Sequence, residues 1–411
     1  MESMTATMTK HPINREALGN ITSQMADWLK AERNSGMDDF EKLPFPVRTL
    51  EAWRRTNPKL MSLEGKQIVA PVSEFGQIGE GEAPEGVTFG SMQDLYDEKM
   101  KDLVARKRDN GINSFTALNQ AMWQGGAVLK VAQDVSTGDD MALHVKHTFK
   151  GGDNALGLTK SMIHVGKFSK VSIIETFTSD DAEFMAAPVI DIKVEEGTNV
   201  RYVFVQAWGT ETTCVPMIRT EVAKDAHLQV LYVGLDGKVT KLFVESDLEG
   251  EGCKSEVNGL VMAAKKQHFD FDLNQYHRKG NNVSDVLFHV ALADESRSNF
   301  SGNVLCAPGS QKIDGYQQNR NLLLSDKARA DSMPKLEIEA DDVACTHGAT
   351  FTTYDPDQYF YCRSRGMTDA ETKRLLVRGF FQEVVNRVAQ PTVVDYLMNL
   401  VAEKMDNTLG R

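Results

Sequence analysis

Long apolar runs are missing from this chain. No stretch approaches the ~18 consecutive apolar residues of a membrane-spanning helix, so a helical transmembrane segment is not expected. The opening stretch, Met1 to Asn20, has neither the apolar core of a secretory signal nor the Arg-rich, acid-free texture of a transit peptide, so a cytoplasmic protein is expected. Positive charge is also short: 46 Lys and Arg stand against 58 Asp and Glu, a net charge of −12. That balance is wrong for a protein that holds nucleic acid through counterion release. The densest basic group, Lys99, Lys101, Arg106, Lys107 and Arg108, reads as a solvated helix face. Cysteine is scarce and odd in number, with five residues at positions 214, 253, 306, 345 and 362 and none in a C-x-x-C pair. This argues against a disulfide framework and a self-contained zinc ribbon, and most of the five read as small buried hydrophobes.

Recognisable catalytic signatures are absent as well. Gly152 and Gly157 have P-loop spacing, but Leu158 and Thr159 stand where the phosphate-reaching lysine and its hydroxyl neighbour belong, so the chain should not hydrolyse ATP alone. The acidic loop Gly79 to Gly86 has Pro84 where a dinucleotide fingerprint needs a third glycine. There is no G-x-S-x-G elbow and no H-E-x-x-H pair. His144 and His147 lie three apart in a predicted strand, where alternation sends them to opposite faces, so two structural histidines are expected rather than a joint metal site.

What remains is the composition of a folded globular chain, 41% hydrophobic and 25% charged over 411 residues, long enough for two or three domains. Leu18, Ile21, Met25 and Leu29 fall on one face of a helix predicted over 14–33, and Ser91 fits as the cap of another running to about Arg108. From about Val128 short β-rich runs recur every 10 to 17 residues, among them Ala142–Thr148, Val189–Val194, Val200–Gln206 and Leu228–Val233. No long amphipathic helices intervene, which disfavours a doubly wound α/β fold. A β-sandwich and a parallel β-solenoid survive. About 220 residues of strand texture is long for one sandwich and favours the solenoid, which grows rung by rung. Helix returns with a Thr368–Glu371 capping box, apolar ridges at Leu376, Phe380, Val384 and at Val377, Phe381, Val385, a stop at Pro391, and a second, shorter helix over Val393–Met405. The expected division is a helical and mixed region at 1–125, a β core at 126–365 and C-terminal helices at 366–411.

Chemistry is densest at Asp341 to Thr350. Cys345 and His347, two apart, point to one face of an extended strand about 7 Å apart. A thiolate and an imidazole can ligate zinc or iron–sulfur iron, though two ligands do not close a four-coordinate site. The alternative is a buried cysteine beside a strand-end histidine.

The segment Asp342-Val343-Ala344-Cys345-Thr346-His347-Gly348-Ala349-Thr350, followed by Gln358 to Gly366, resembles the C-terminal signature of the SufB/SufD family of iron–sulfur cluster assembly proteins. The likeness extends to Phe300-Ser301-Gly302, Gln318 to Ser325, Pro334 to Ile338, Gly379 to Val384 and an N-terminal motif, Pro46 to Thr56. Gly348, where the SufB branch has Glu, and the length favour the SufD branch. Cys362 is a SufB-like feature. The resemblance implies a right-handed parallel β-helix flanked by helical regions. It also implies a non-catalytic scaffold that pairs with a SufB-type subunit and docks a SufC-type ATPase through its C-terminal helices, with Leu376, Phe380, Phe381 and Val384 as contact candidates. It further implies a transient iron–sulfur cluster shared with SufB, for which His347 is the metal-ligand candidate and Cys345 its reserve, and a flavin in the assembled complex whose site the sequence does not locate. Pro334–Thr352 is expected near the SufB interface. The rival reading is a carbohydrate-active β-helix enzyme using Asp270 and Asp272, which otherwise form the solvated face of an alternating strand.

Overall fold

In this computed structural model, residues 11–105, 108–109, 111–388 and 390–410 are described. Arg106 and Lys107 of the basic group lie outside them. Among the described residues two sheets of parallel strands face one another along most of the chain. The front sheet stacks Ala127–Val131, Lys160–Val165, Val189–Val194, Met217–Val222, Val239–Leu248, His268–His277, Arg297–Cys306 and Arg329–Ile338. The back sheet stacks Met141–Phe149, Lys170–Ser179, Asn199–Ala207, His227–Asp236, Lys254–Ala263, Val283–Leu292, Ile313–Leu323 and Val343–Thr352. Successive strands of the back sheet pair in parallel between residues 27 to 31 apart. The chain therefore winds as a β-solenoid of about seven turns. The sandwich alternative is excluded, because its strands would run antiparallel.

Alternate side chains of both sheets meet in the lumen. Phe177, Phe204, Tyr232, Phe271, Phe288 and Phe300 form a column there with centroid separations of 4.6 to 5.9 Å. Aromatic stacking at that spacing adds to area burial at each turn and fixes the register between turns. Asp225, Asn281 and Asp294 take positive φ at corners, a conformation that short polar side chains tolerate. Phe168, Lys265 and Lys312 do the same elsewhere, so no single residue type marks the turns.

The two ends of the solenoid differ. At the N-terminal end, Val72–Gly79 and Val87–Ser91 pair antiparallel to the first back and front strands and cap the ladder. At the other end Val343–Thr352 and Arg329–Ile338 each have one strand neighbour among the described residues, so both keep a free edge.

Helices cover the outer surfaces. They are α1 Arg15–Thr22, α2 Asp27–Lys42, α3 Met92–Leu95, α4 Glu98–Leu103, α5 Ser114–Met122, α6 Pro356–Ser364, α7 Asp369–Val388 and α8 Pro391–Leu409. The N-terminal pattern expected as one helix over 14–33 is two, and the second runs on to Lys42. The helix expected from Ser91 to Arg108 is likewise split: Ser91 caps α3 as expected, but Asp97 accepts from Met100 N–H and starts α4 afresh. The capping box forms as expected, with Thr368 Oγ1 accepting from Glu371 N–H and Glu371 accepting from Thr368 N–H. Pro391 opens α8, which spans 19 residues against 20 for α7 and so is not markedly shorter. Both lie on the back sheet's outer surface, where Val377, Phe381, Val385, Leu397 and Val401 share one apolar cluster with Val203, Leu231 and Leu260.

Candidate functional site

The last turn of the solenoid positions Cys345 and His347. Their ladder partners, Gly315 and Gln317, are lumen-facing and buried, so Cys345 and His347 lie on the lumen side of the final strand. No further turn covers them, which leaves His347 exposed and Cys345 half-buried. Cys345 Sγ sits 3.9 Å from Cys306 Sγ, on the front sheet. The Cys306 thiol, donating to Cys345, together with the Gly315 N–H, holds Cys345 down at about 7, a net downward shift despite its partial burial, while Cys306 is pushed up. Gly315 leaves room for the Cys345 sulfur: a Cβ there would stand 3.0 Å from it, so the cysteine would have to shift to admit a side chain.

Polarity changes along the lumen. Where the middle turns stack phenyl rings, this end holds Gln275, His277, Gln317 and Asn319, all at most 1% exposed. Both amide atoms of Gln275 and of Asn319, and Oε1 of Gln317, have no hydrogen-bond partner among the described residues. The Cys345 and His347 donors suit iron, but one thiolate and one imidazole leave its coordination incomplete. Among the described residues no group of three or more His, Cys, Asp or Glu is arranged to hold a metal ion.

The other cysteines are placed differently. Burial pushes Cys214 well up and Cys253 up to about 12, the setting of unreactive core thiols. Cys362 lies half-buried on α6. His147 and His144 take opposite faces, as alternation requires. His147 Nε2 meets Glu175 in the lumen at 2.9 Å, and His144 packs outside against Tyr396.

The helix residues expected to touch an ATPase divide into two sets. Phe381 and Val384 are fully buried in the cluster with the back sheet, so as direct contacts they would have to leave it. Leu376 and Phe380 are half-buried, and the Phe380 ring stacks 4.5 Å from His289. The solvated face expected at Asp270 and Asp272 is not there. Asp270 is sealed beneath the N-terminal motif, bound by Lys241 at 2.9 Å, Asn299 at 2.6 Å and Thr56 at 2.5 Å, and Asp272 is partly buried. A polysaccharide could not reach the first carboxylate. Cys306 and Gly315 escaped the sequence reading because nothing local marks them. Only the spacing of the turns sets them beside Cys345.

Comparison with known proteins agrees with this geometry. Residues 147–380 match the model for the SUF system FeS cluster assembly SufBD core domain. An iron–sulfur cluster assembly SufBD family protein of Mycobacterium leprae is 29% identical over 302 residues, covering 70% of this chain and 74% of that one. The iron–sulfur cluster assembly protein SufB of Bacillus subtilis is 23% identical over 303 residues, 72% of this chain and 64% of its own. SufD of Escherichia coli is 25% identical over 266 residues, 64% of this chain and 63% of its own. The chain thus spans under two thirds of the length of these last two. With the core model covering more than half its length and the solenoid that carries it in view, the chain belongs to the SufBD family of SUF-system iron–sulfur cluster assembly proteins.

Proposed function

We propose that the chain is a SufD-type scaffold without catalysis of its own, which pairs with a SufB-type subunit through its open last turn and presents His347, with Cys345 in reserve, to a nascent iron–sulfur cluster. The observation that carries this reading is the uncapped end of the solenoid. There a low-pKa thiol and an exposed imidazole share one side of a strand with a free edge. Free backbone groups along Arg329–Ile338 and Val343–Thr352 invite strand addition by a second solenoid. Such a partner would supply the remaining iron ligands. The SufD assignment over SufB rests on Gly348. The working units are 1–125, 126–365 and 366–411.

The SufC-type ATPase contact is proposed on the outward side of the C-terminal helices. Phe360 is 72% exposed and Leu375 49% exposed, with Leu376 between the surface and the sheet. Phe381 and Val384 then act by holding α7 on the back sheet. No residue of this chain is assigned to a flavin. Co-expression with SufB-type and SufC-type subunits tests the assembly: a stable complex is expected, with amide exchange in 334–352 slowed by the SufB-type subunit. Purification of this chain alone, or exchange there unchanged in the complex, would count against the interface. Cleavage of polysaccharides by the purified chain would revive the enzyme reading.

A further inference from the structure

The N-terminal motif Pro46–Thr56 lies away from Cys345 and His347, and besides surface pairs of Glu51 with Lys335 and Arg55 with Asp331 on the last front strand, two deep anchors hold it on the front sheet. Trp53 is buried against Phe115 and Phe243, with centroids 5.8 and 5.9 Å away. Thr56 Oγ1 donates to Asp270 and lies 2.8 Å from His268 Nε2. Held this way, the motif sets Arg48, Arg54 and Arg55 on the wall of a cleft of about 640 Å³. The front sheet contributes His268, Arg297 and Arg329, which are register partners on three successive strands.

Five arginines line this cleft, and Asp331, 3.2 Å from Arg55, is its one acidic residue. The excess of four positive charges sits in a chain whose net charge is −12. Arg48, Arg297 and Arg329 have no carboxylate partner among the described residues. Arg297 and Arg329 are paired directly across the ladder, an arrangement of like charges that costs stability unless an anion offsets it. Asn299, also in the lining, has an Oδ1 with no hydrogen-bond partner among the described residues.

We propose that this cleft binds a small molecule carrying a diphosphate group. Guanidinium forks match phosphate oxygens two at a time, and more than one phosphate is needed to offset the charge gathered here. The volume falls within the ~300–1,000 Å³ range of small-ligand sites. A nucleic-acid strand would need the positive surface to continue well beyond the cleft, against the chain's overall charge. The cleft shares Arg329 and Asp331 with the strand whose free edge is offered to the SufB-type subunit, but it uses neither Cys345 nor His347, and its test on the chain alone does not depend on the cluster-handling role.

Calorimetric titration of the full chain at about 150 mM salt tests the proposal with inorganic pyrophosphate, adenosine diphosphate and adenosine monophosphate. One site per chain is expected for the first two, with the monophosphate at least roughly tenfold weaker. The Arg297→Ala/Arg329→Ala variant, and separately Arg54→Ala, should weaken pyrophosphate roughly tenfold or more while melting like the parent. Lys238→Ala/Lys266→Ala, in the charge-balanced cleft that also holds Glu211 and Asp236, should leave binding unchanged. Equal affinity in the arginine variants, or equal affinity for the monophosphate, would overturn the proposal. So would binding of an acidic peptide or single-stranded DNA where pyrophosphate does not bind.

Discussion

Replacing Cys306 by Ala should strip Cys345 of the hydrogen bond that stabilises its thiolate. In the intact protein that bond is the largest influence on Cys345 and holds it at about 7, so near neutral pH about half of it is ionised. Without it only the Gly315 N–H opposes partial burial, and Cys345 should return to about 8.5, the ordinary thiol value. The thiolate fraction at pH 7 then drops to roughly 3%. The alkylation rate falls less, by roughly three- to fivefold, because a thiolate of higher pKa is the better nucleophile. The midpoint of the pH profile is therefore the sharper readout. It should rise by about 1.5 units. Iodoacetamide labelling followed by peptide mass spectrometry, in a Cys362→Ser background, isolates Cys345 because Cys214 and Cys253 are buried. The same midpoint with and without Cys306, or a parent midpoint already near 8.5, would refute the argument.

Phe381→Ala should cost about 3–5 kcal/mol in urea unfolding, as a buried aromatic lost from the seam between α7 and the sheet. Leu375→Ala, on the exposed side, should stay within about 0.5 kcal/mol, and similar costs at both positions would show that α7 is not packed this way. Asp270→Ala leaves Lys241, 1% exposed, with only the more distant Asp272 and should cost about 3–5 kcal/mol, together with faster proteolysis within Pro46–Thr56. Unchanged stability would contradict the buried pairing. Burial holds His277 and His289 down to about 4, against about 6.5 in an unfolded chain, so between those values the unfolded state takes up their protons first. The stability these neutral rings confer is lost as pH falls through that window, by about 1.4 kcal/mol per pH unit for each. His289→Gln should flatten the slope by one histidine's share, and an unaltered slope between pH 7 and 5 would show that His289 is not held neutral.

The strands most legible in the sequence were those with one unbroken β-branched or aromatic face, such as Ile190, Ile192 and Val194 or Val200, Tyr202 and Phe204. Val189–Val194 is found with the bounds its composition gives, and Val200–Gln206 lies one residue inside its strand at each end. Lys160–Val165 and Met217–Val222 were not legible, because Lys160, His164, Arg219 and Glu221 read as solvent-facing although neighbouring turns and helices cover most of them. The solenoid leaves no repeated motif, since the lumen accepts any apolar side chain of suitable volume and positive φ is reached variously with Asp, Asn, Lys, Phe or Gly. At the candidate site, the pairing of Cys345 with His347 follows from strand alternation alone. The contact with Cys306 depends on the spacing of turns, and the burial of Asp270 on a segment more than two hundred residues earlier. Neither can be read locally.

The most direct test of the cluster-handling account is the iron bound by the complex of this chain with its SufB-type and SufC-type partners, measured for His347→Ala beside Cys345→Ala. His347 is exposed and on the lumen side of the last strand, so its removal should leave the complex intact and lower its bound iron, more than Cys345→Ala does. Normal iron in an intact His347→Ala complex would contradict the account.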